Sequence, residues 1–335
     1  MKKYVNLFVF VFMIGACLSQ GRAQTKSAVS YKNPVVDIAM PDPTVIKAAD
    51  GYFYVYATES TRNVPIMKSK DLVEWTYCNT AFTNKTRPRF EPKAGIWAPD
   101  INYINGKYVL YYAMSVWGGE QTCGIGVATA NSPQGPFTDH GKMFRSNEIG
   151  VQNSIDPSLL QYEGRNYLVW GSFRGIYVIE LTADGLSIMS GAKKKRIAGT
   201  AFEAVYIHKH GDYYYMFASI GSCCQGVKST YKVVVGRSKK VWGPYKDKTG
   251  KPMLKNGYSL VIGANDHFVG NGHGSQIIRD AAGQDWLLYH GFLRSTPENG
   301  RILLLDQIKW DQEGWPYVEG GSPSYETQKA PVFNN

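Results

Sequence analysis

MPDPTVIKAADGYFYVYA, residues 40–57, contains the successive parts of a β-hairpin. Asp42 stands at the start of a short apolar strand, an Asp50-Gly51 turn follows, and an aromatic strand runs back. An Asp-Gly turn between two runs rich in β-branched and aromatic residues is a strong short-range signal for this structure. The stretch therefore predicts two antiparallel strands with an acidic residue at their open end.

The same order of acid, strand, turn and aromatic strand recurs four more times. The further copies are WAPDINYINGKYVLYY (97–112), IDPSLLQYEGRNYLVW (155–170), FEAVYIHKHGDYYYMF (202–217) and HGSQIIRDAAGQDWLLY (273–289). The residues that the five copies place at equivalent positions are Asp42, Asp100, Asp156, Glu203 and His273. Five copies of one pattern predict five copies of one structural unit.

The spacing of the copies is typical of propeller blades. Three intervals are 58, 56 and 47 residues, and the last is 70. Units of four strands in roughly 40–50 residues are characteristic of β-propellers. We predict an all-β, five-bladed propeller over residues 33–325, with a shortened third blade around residues 175–181. A two-sheet sandwich is the structural alternative, but it gives no reason for the fivefold repeat.

In a propeller the innermost strands line a central channel, so the five equivalent residues should face one another near its axis. Four carboxyl groups in one funnel are costly unless they bind a cation, bind a sugar or share protons. The heavy aromatic content, with 23 Tyr, 14 Phe and 8 Trp, also suits a sugar-binding cleft. Paired carboxyl groups in such a cleft favour glycoside hydrolysis, with one protonated acid and one ionised base. The sequence has no Gly-x-Ser-x-Gly elbow, phosphate-binding loop or zinc-type cysteine spacing.

The first residues indicate export. Lys2 and Lys3 precede an apolar run that is too short to span a bilayer, which is typical of a signal peptide over residues 1–23. Ile14-Gly-Ala-Cys17 also matches a bacterial lipobox, which would end the signal at residue 16 and attach lipid to Cys17. We expect either an outer-membrane or periplasmic lipoprotein or a secreted protein, with membrane contact only through that anchor.

The positive charge does not indicate a nucleic-acid partner. The formal net charge is +10, and the segment before Gln24 carries three of the positive charges and no acid, which leaves +7. A nucleic-acid surface would cluster these charges with aromatic side chains. The only basic run, residues 193–196, is interpreted as an exposed turn or strand edge. We expect a monomer, and the disulfide state of Cys78, Cys123, Cys223 and Cys224 stays open.

Several motifs resemble glycoside hydrolase family 43. They are Pro41-Asp42-Pro43, Ile155-Asp156-Pro157 and Phe202-Glu203-Ala204. Residues 97–103 (WAPDINY), 171–173 (GSF) and 223–238 (CCQGVKSTYKVVVGRS) are most similar to the endo-α-1,5-L-arabinanases of that family. The resemblance extends from about Asn33 to Val318 and implies a five-bladed propeller that cleaves arabinan and arabino-oligosaccharides.

The resemblance also implies roles for individual residues. Asp42 would be the general base, Glu203 the general acid, and Asp156 the residue that raises the pKa of Glu203. The family inverts the anomeric centre, which requires the two working carboxyl groups to stand ~6.5–9.5 Å apart. Asp100 matches a position without a catalytic role. His273 matches a histidine at the propeller axis that helps to hold an ion, often calcium with water ligands; a packed axial histidine is the alternative.

We predict substrate contacts at Trp97, Trp117, Asn153 and Phe173. Arabinanases commonly continue the Gly-Ser-Phe motif with Trp, where this chain has Arg174, and this change affects the expected chain length and branching tolerance. Three other functions stay open. Two are exo-acting enzymes on the same fold, an arabinofuranosidase or a β-xylosidase, and the third is a surface glycan-binding lipoprotein without turnover.

Overall fold

The computed structural model describes Met1 and residues 30–333 of the 335-residue chain. The predicted signal segment and Cys17 therefore lie outside the described residues, apart from Met1. Within residues 30–333, no helix has the length and apolar composition needed to cross a membrane.

The described chain forms the predicted five-bladed β-propeller, in which the blades are antiparallel sheets. Two strands precede the first blade: β1 (Ser30–Tyr31) and β2 (Val36–Ala39). Blade 1 contains β3 (Thr44–Lys47), β4 (Phe53–Tyr56), β5 (Pro65–Ser69) and β6 (Thr76–Thr80). Blade 2 contains β7 (Gly95–Ile104), β8 (Lys107–Ser115), β9 (Gly124–Ala130) and β10 (Thr138–Arg145), followed by a single turn of helix, α1 (Ser146–Ile149).

The remaining blades follow in chain order. Blade 3 contains β11 (Ser158–Tyr162), β12 (Arg165–Trp170), β13 (Ile176–Glu180) and β14 (Lys195–Ala198). Blade 4 contains β15 (Glu203–His210), β16 (Tyr213–Ile220), β17 (Lys232–Ser238) and β18 (Ser259–Ile262). Blade 5 contains β19 (Phe268–Gly272), β20 (Ile278–Arg279), β21 (Asp285–Leu293), β22 (Ile302–Trp310) and β23 (Pro316–Tyr317). Short 3₁₀ turns occupy Gly226–Lys228, Met253–Lys255, Pro297–Asn299 and Glu319–Gly321, and the last strand is β24 (Gln328–Lys329).

The two ends of the described chain close the ring. Strand β2 from the start of the chain pairs with β22 and so becomes the outer strand of blade 5. Strand β1 pairs with β24 in a separate two-stranded sheet. The first and last blades are therefore held together by backbone hydrogen bonds as well as by packing, and one sheet contains residues from both ends.

Two details of the sequence-based blade boundaries are wrong. The third blade is not shortened, because β13 and β14 complete a four-stranded sheet. In the fifth copy most of the predicted first strand is not a strand: β19 ends at Gly272, before His273, and only Ile278–Arg279 after it pairs with β21. The long interval before His273 arises because loops around residues 221–231 and 239–258 enlarge blade 4.

Aromatic residues fill the spaces between blades. Tyr56 from blade 1 and Tyr112 from blade 2 belong to one buried cluster, in which the ring of Phe82 meets that of Tyr112 edge-to-face. Burying such a side chain stabilises the fold by about 1.5–3 kcal/mol. The hydroxyl groups are also satisfied, since Tyr56 donates to the Pro133 carbonyl and Tyr112 to Asp139. Packing between blades thus explains part of the tyrosine content of the sequence.

Candidate active site

Each blade presents one left-handed residue where its inner strand meets the cleft. These residues are Asp42 (φ 54°), Ala98 (φ 42°), Asp156 (φ 56°), Ala204 (φ 52°) and His273 (φ 50°). The pairing register slips at the same places in blades 2, 4 and 5, between Trp97 and Asp100, Glu203 and Tyr206, and Val269 and Gly272. Bulges of this kind redirect side chains, and here they turn the repeated polar residues toward one funnel.

Four of the five repeated residues meet in a cleft of about 520 Å³. The cleft is lined by Asp42, Asp156, Glu203 and His273, together with residues from all five blades. The three carboxyl groups are buried. Asp100 is not part of this lining. It lies deeper along the channel, where its carboxylate accepts hydrogen bonds from the Leu159 backbone and from Asn102, each at 2.7 Å.

Asp42 is held as an anion. Its Oδ1 lies 2.7 Å from Arg301 Nη1 and 3.2 Å from His273 Nδ1, and its Oδ2 accepts a 2.6 Å hydrogen bond from Thr58. Burial alone would raise the pKa of Asp42, but the positive charge of Arg301 and the hydrogen bonds outweigh it and hold the pKa well below its usual range. Asp42 is therefore ionised near neutral pH, which is the state that its predicted role as general base needs.

His290 fixes the backbone at Asp42. This histidine is fully buried, and its Nδ1 accepts the Asp42 N–H at 3.0 Å. Burial lowers the pKa of His290 to about 4, so the ring is neutral at pH 7. Its face stacks on Tyr231, with 5.7 Å between ring centroids. The strained conformation of Asp42 is thus supported by a neutral, packed imidazole.

Glu203 and Asp156 form the opposite arrangement, a pair of carboxyl groups that retains a proton. Burial raises the pKa of Glu203, although a 2.6 Å hydrogen bond from Ser172 to its Oε2 works in the other direction. Burial and then the neighbouring Glu203 raise the pKa of Asp156 to about 8. Two buried carboxyl groups that repel each other keep one proton near neutral pH. The cleft therefore combines an ionised carboxylate with a protonated one.

Ser172→Ala should move the alkaline limb of the pH–rate profile to higher pH by about one unit. An acid catalyst must be protonated, so with Glu203 in its predicted role as the acid the rate should fall as pH rises through its raised pKa. Because the Ser172 hydroxyl stabilises ionised Glu203, its removal raises that pKa further. The measurement is kcat/KM for an arabino-oligosaccharide from acidic to alkaline pH. Ser115→Ala is the matched control, since Ser115 lines the same cleft but donates to the Val116 carbonyl. If the alkaline limb of Ser172→Ala lay at the same pH as in the wild type or at a lower pH, the proposed effect of Ser172 on Glu203 would be contradicted.

Aromatic side chains form one wall of the cleft. Trp97, Trp117 and Phe173, all predicted substrate contacts, line it. Trp117 is 78% exposed and lies 5.4 Å from Trp97 between ring centroids. A large aromatic ring left open to solvent beside carboxyl groups suits stacking on the apolar face of a sugar.

Asn153 lies in the cleft as predicted but is already engaged. Its side-chain amide donates to Ser172 Oγ at 2.9 Å, and Ser172 in turn donates to Glu203. Asn153 thus orients the serine that contacts the acid. Across the cleft, Cys223 and Cys224 form a disulfide between adjacent residues and line the wall, while Cys78 and Cys123 are free thiols.

Arg174 lies at the rim, outside the cleft lining. Its Nη2 lies 2.7 Å from Glu120 Oε2, and the same oxygen accepts a 2.7 Å hydrogen bond from Gln152. All three side chains are at the surface, so the ion pair contributes little to stability. Its effect is to place Glu120, a residue of the cleft lining, at one end of the groove.

The donors near the axis fit a hydrated cation. His273 Nδ1 lies 3.2 Å from Asp42 Oδ1, which leaves Nε2 as the atom that could hold a metal. Burial alone would lower the pKa of His273, but Asp42, Asp156 and Glu203 outweigh burial and raise that pKa, so a cation would compete with a proton there. His273 also borders a much smaller cavity of about 20 Å³ that is lined by Asp100, Asp156 and Gln276. Elsewhere in the described residues, His208, His210 and Asp285 form a separate group that could hold a metal ion, which the sequence analysis did not predict.

The sequence analysis also missed the residues that contact the repeated acids. Most of them stand at the end of the second strand of a blade, beside the start of the inner strand. These second-strand residues are Thr58, Ser172, Ser219 and His290, whereas Ser115, at the corresponding place in blade 2, donates to the Val116 carbonyl. Ser219 accepts the His273 N–H at 2.8 Å, so it supports His273 as His290 supports Asp42. Their recurrence after each aromatic strand was a usable signal, whereas Arg301 has no counterpart in the other copies.

Comparison with known proteins agrees with this geometry. The model of the family described as "Glycosyl hydrolases family 43" matches residues 31–316. The chain is 36% identical over 306 residues to an extracellular exo-α-(1→5)-L-arabinofuranosidase of Cellvibrio japonicus, covering 83% of this chain and 86% of that protein. It is also 36% identical over 289 residues to an extracellular endo-α-(1→5)-L-arabinanase of Bacillus subtilis, covering 82% and 86%.

A solved structure shows the same fold. The α-L-arabinanase of Cellvibrio cellulosa, complexed with arabinohexaose, superposes with a TM-score of 0.78 at 33% identity, covering 87% of this chain and 99% of that one. The two relatives of equal identity differ in whether they are named exo- or endo-acting. Overall similarity therefore does not separate the two modes of action.

Proposed function

The chain belongs to glycosyl hydrolases family 43, as its motifs predicted, and on that premise we propose that it hydrolyses internal α-1,5-L-arabinofuranosyl linkages of arabinan. The observation that carries this proposal is the pairing, in one aromatic-walled cleft, of an anionic Asp42 with a proton-retaining Glu203–Asp156 pair. These are the two protonation states that glycoside hydrolysis requires.

In the proposed mechanism the two carboxyl groups act on opposite sides of the scissile bond. Glu203 donates its proton to the departing sugar oxygen, while Asp42 accepts a proton from the water that attacks the anomeric carbon. Asp156 does not touch the reacting atoms; it shares one proton with Glu203, and the form of the pair in which Asp156 is ionised and Glu203 protonated is the one that can act. Direct attack by water inverts the anomeric configuration.

The extent of the cleft supports endo action. Its lining runs from Trp117, after blade 2, to the Cys223–Cys224 disulfide, after blade 4, with the carboxyl groups between them. A groove that continues on both sides of the reacting groups suits a substrate chain that passes through it. The exo alternative is supported by the Cellvibrio japonicus relative and by the Arg174–Glu120 pair at one end of the groove.

A time course of products from linear arabinan tests the proposal. We expect a ladder of oligosaccharides of many lengths at early times, because an open groove binds the polymer at random positions. The products should be sized by chromatography, with Asp42→Asn as the blank and xylo-oligosaccharides as a substrate control. Arabinose or one short product alone would show exo action, and release of xylose would show a β-xylosidase. Arabinan binding without any product would favour the glycan-binding alternative.

Two further proposals concern the axial ion and the destination of the protein. His273 Nε2, with waters in the axial cavity, would hold a calcium ion or another cation, whose charge would favour the ionised carboxylates around it. Metal analysis of the protein with and without His273→Gln tests this. Export is supported by two relatives that are named extracellular. Mass spectrometry of the mature N-terminus distinguishes lipidation at Cys17 from cleavage after Ala23.

A further inference from the structure

Three side chains capable of binding a metal meet far from the cleft. They are His208 and His210 at the end of β15 and Asp285 at the start of β21. Strand β15 begins in the cleft with Glu203 and ends with His210. At a rise of about 3.3 Å per residue, these two residues lie about 23 Å apart. The cluster therefore lies near the opposite end of the channel and takes no part in the proposed catalytic site.

The positions of the three side chains suit coordination of one ion. Residues two apart on a strand point to the same face, which places both imidazoles on the side of Asp285. One donor atom from each residue lies within 4.8 Å of the other two. His210 Nδ1 is 3.5 Å from Asp285 Oδ2. That distance is close to the roughly 3.4 Å that separates two ligands of a tetrahedral zinc ion with bonds near 2.1 Å.

Asp285 has an unused, buried acceptor. Its side chain is buried, and Oδ1 has no hydrogen-bond partner among the described residues. The other oxygen, Oδ2, is fixed by a 2.8 Å hydrogen bond from the Trp310 indole N–H. A buried carboxylate oxygen without a partner is costly. A cation that contacts both carboxylate oxygens, Oδ2 on the side of His210 and the unpaired Oδ1, would remove that cost, while the indole N–H keeps the carboxylate oriented.

The positive charge beside Asp285 belongs to an exposed side chain. Arg279 Nη1 lies 3.6 Å from Asp285 Oδ1, which is longer than a hydrogen bond. The Arg279 side chain is 61% exposed, so it can move into solvent when a cation binds. Without a metal, Arg279 and the two histidines still leave Asp285 Oδ1 without a hydrogen bond from any described residue.

The donor set indicates the class of metal. Two imidazole nitrogens and one carboxylate oxygen suit zinc and neighbouring transition metals, whereas calcium and magnesium prefer oxygen ligands. Burial lowers the pKa of His208 to about 4 and lowers that of His210, so both rings are neutral at pH 7. The His210 ring also stacks on Trp310 at 3.7 Å between centroids, which holds it in place.

We propose that His208, His210 and Asp285 bind a divalent transition-metal ion, zinc in the first instance, that links blade 4 to blade 5. The two strands are distant in sequence, so an ion between them ties parts of the ring that are otherwise joined by side-chain packing. An ion that binds only the folded protein stabilises it by a free energy that rises with the logarithm of one plus the ratio of ion concentration to dissociation constant. The expected effect is on stability, with turnover unchanged.

The test is zinc binding by the mature protein, prepared without an affinity tag and stripped with a chelator. Calorimetric titration with zinc chloride, in millimolar calcium to keep any hard-cation site filled, should show about one ion per chain. Thermal unfolding should shift upward by several degrees with zinc and not with magnesium. Cobalt should give the visible absorption bands of a four- or five-coordinate site with nitrogen ligands.

Single substitutions distinguish this cluster from other histidines. His210→Gln and Asp285→Asn should each weaken zinc binding by about 100-fold and abolish the thermal shift, since each removes a ligand. Asn at position 285 keeps an acceptor for Trp310, and His210 is only half-buried, so both variants should fold. His140→Gln is the matched control, because His140 is exposed on β10 and bonds only to Thr129 among the described residues. Absence of zinc binding to the folded wild-type protein, or binding that survives both ligand substitutions, would overturn the proposal.

Discussion

Glu203→Gln should lower kcat/KM for arabinan by about 10³-fold, within the range of about 10²–10⁴ that a positioned general acid contributes. Glutamine keeps the shape and the contact with Ser172 but has no proton to give to the leaving oxygen. The same variant should lose far less activity on an arabinotrioside with a 2,4-dinitrophenyl leaving group. That anion departs without protonation, so the acid is dispensable for it.

The comparison of the two substrates is the decisive part of this experiment. Initial rates on both should be measured for the wild type and the variant, together with calorimetric binding of arabinohexaose, which we expect to be retained. Equal losses on both substrates would show that Glu203 does not act as the acid. Lost binding would instead indicate a damaged cleft, which the melting temperature would report independently.

The blade architecture was predictable because it is repeated. One hairpin pattern, written five times, determines both the number of blades and the positions of Asp42, Asp156 and Glu203. The outer strands are less regular, and the intact third blade was missed because β14 is a basic edge strand, Lys195–Ala198, separated from β13 by a loop. A strand that contributes few residues to the core has little hydrophobic pattern to detect.

The electrostatics of the site were only partly predictable. The sequence predicts that the carboxyl groups converge. The difference in protonation between Asp42 and the Glu203–Asp156 pair depends instead on the side chains that contact each of them. Arg301, just before β22, keeps Asp42 ionised. The loop before Arg301 has no equivalent in the other four copies of the repeat. Long-range partners of this kind follow from the closure of the ring and not from local spacing.

The second-strand residues show a cyclic order that links the blades. Ser172 of blade 3 contacts Glu203 of blade 4, and Ser219 of blade 4 contacts His273 of blade 5. His290 of blade 5 then contacts the backbone of Asp42, which enters blade 1. Glu203, His273 and the backbone of Asp42 are thus each contacted by the preceding blade, so the ring must close before the site is complete. The His208, His210 and Asp285 cluster repeats this contact between blades 4 and 5 at the other end.

Asp42→Ala should lower kcat/KM by about 10³–10⁴-fold on arabinan and on the dinitrophenyl arabinotrioside alike, because both reactions need an activated water. This equal loss is the opposite of the result expected for Glu203→Gln. Removal of Asp42 also leaves the Arg301 guanidinium without its buried partner, so some loss of stability is expected. Asp42→Asn fills the same space but also removes the negative charge beside Arg301, so melting temperatures of both variants must be compared with that of the wild type to separate lost stability from loss of the base.

Azide should restore much of the activity of Asp42→Ala on the dinitrophenyl substrate. The azide ion is already an anionic nucleophile and needs no base, and the space left by the carboxylate offers it the charge of Arg301. Attack from the side of Asp42 inverts the anomeric centre, so the product should be the β-arabinofuranosyl azide, identified by nuclear magnetic resonance. An α-azide would place the attacking group on the other face of the sugar and exclude Asp42 as the base. Asp42 would also be excluded as the base if azide restored no activity to Asp42→Ala and Asp42→Asn were fully active. Rescue with inversion would show that the Asp42 carboxylate, held by Arg301, Thr58 and His273, acts in one chemical step, the activation of the attacking water.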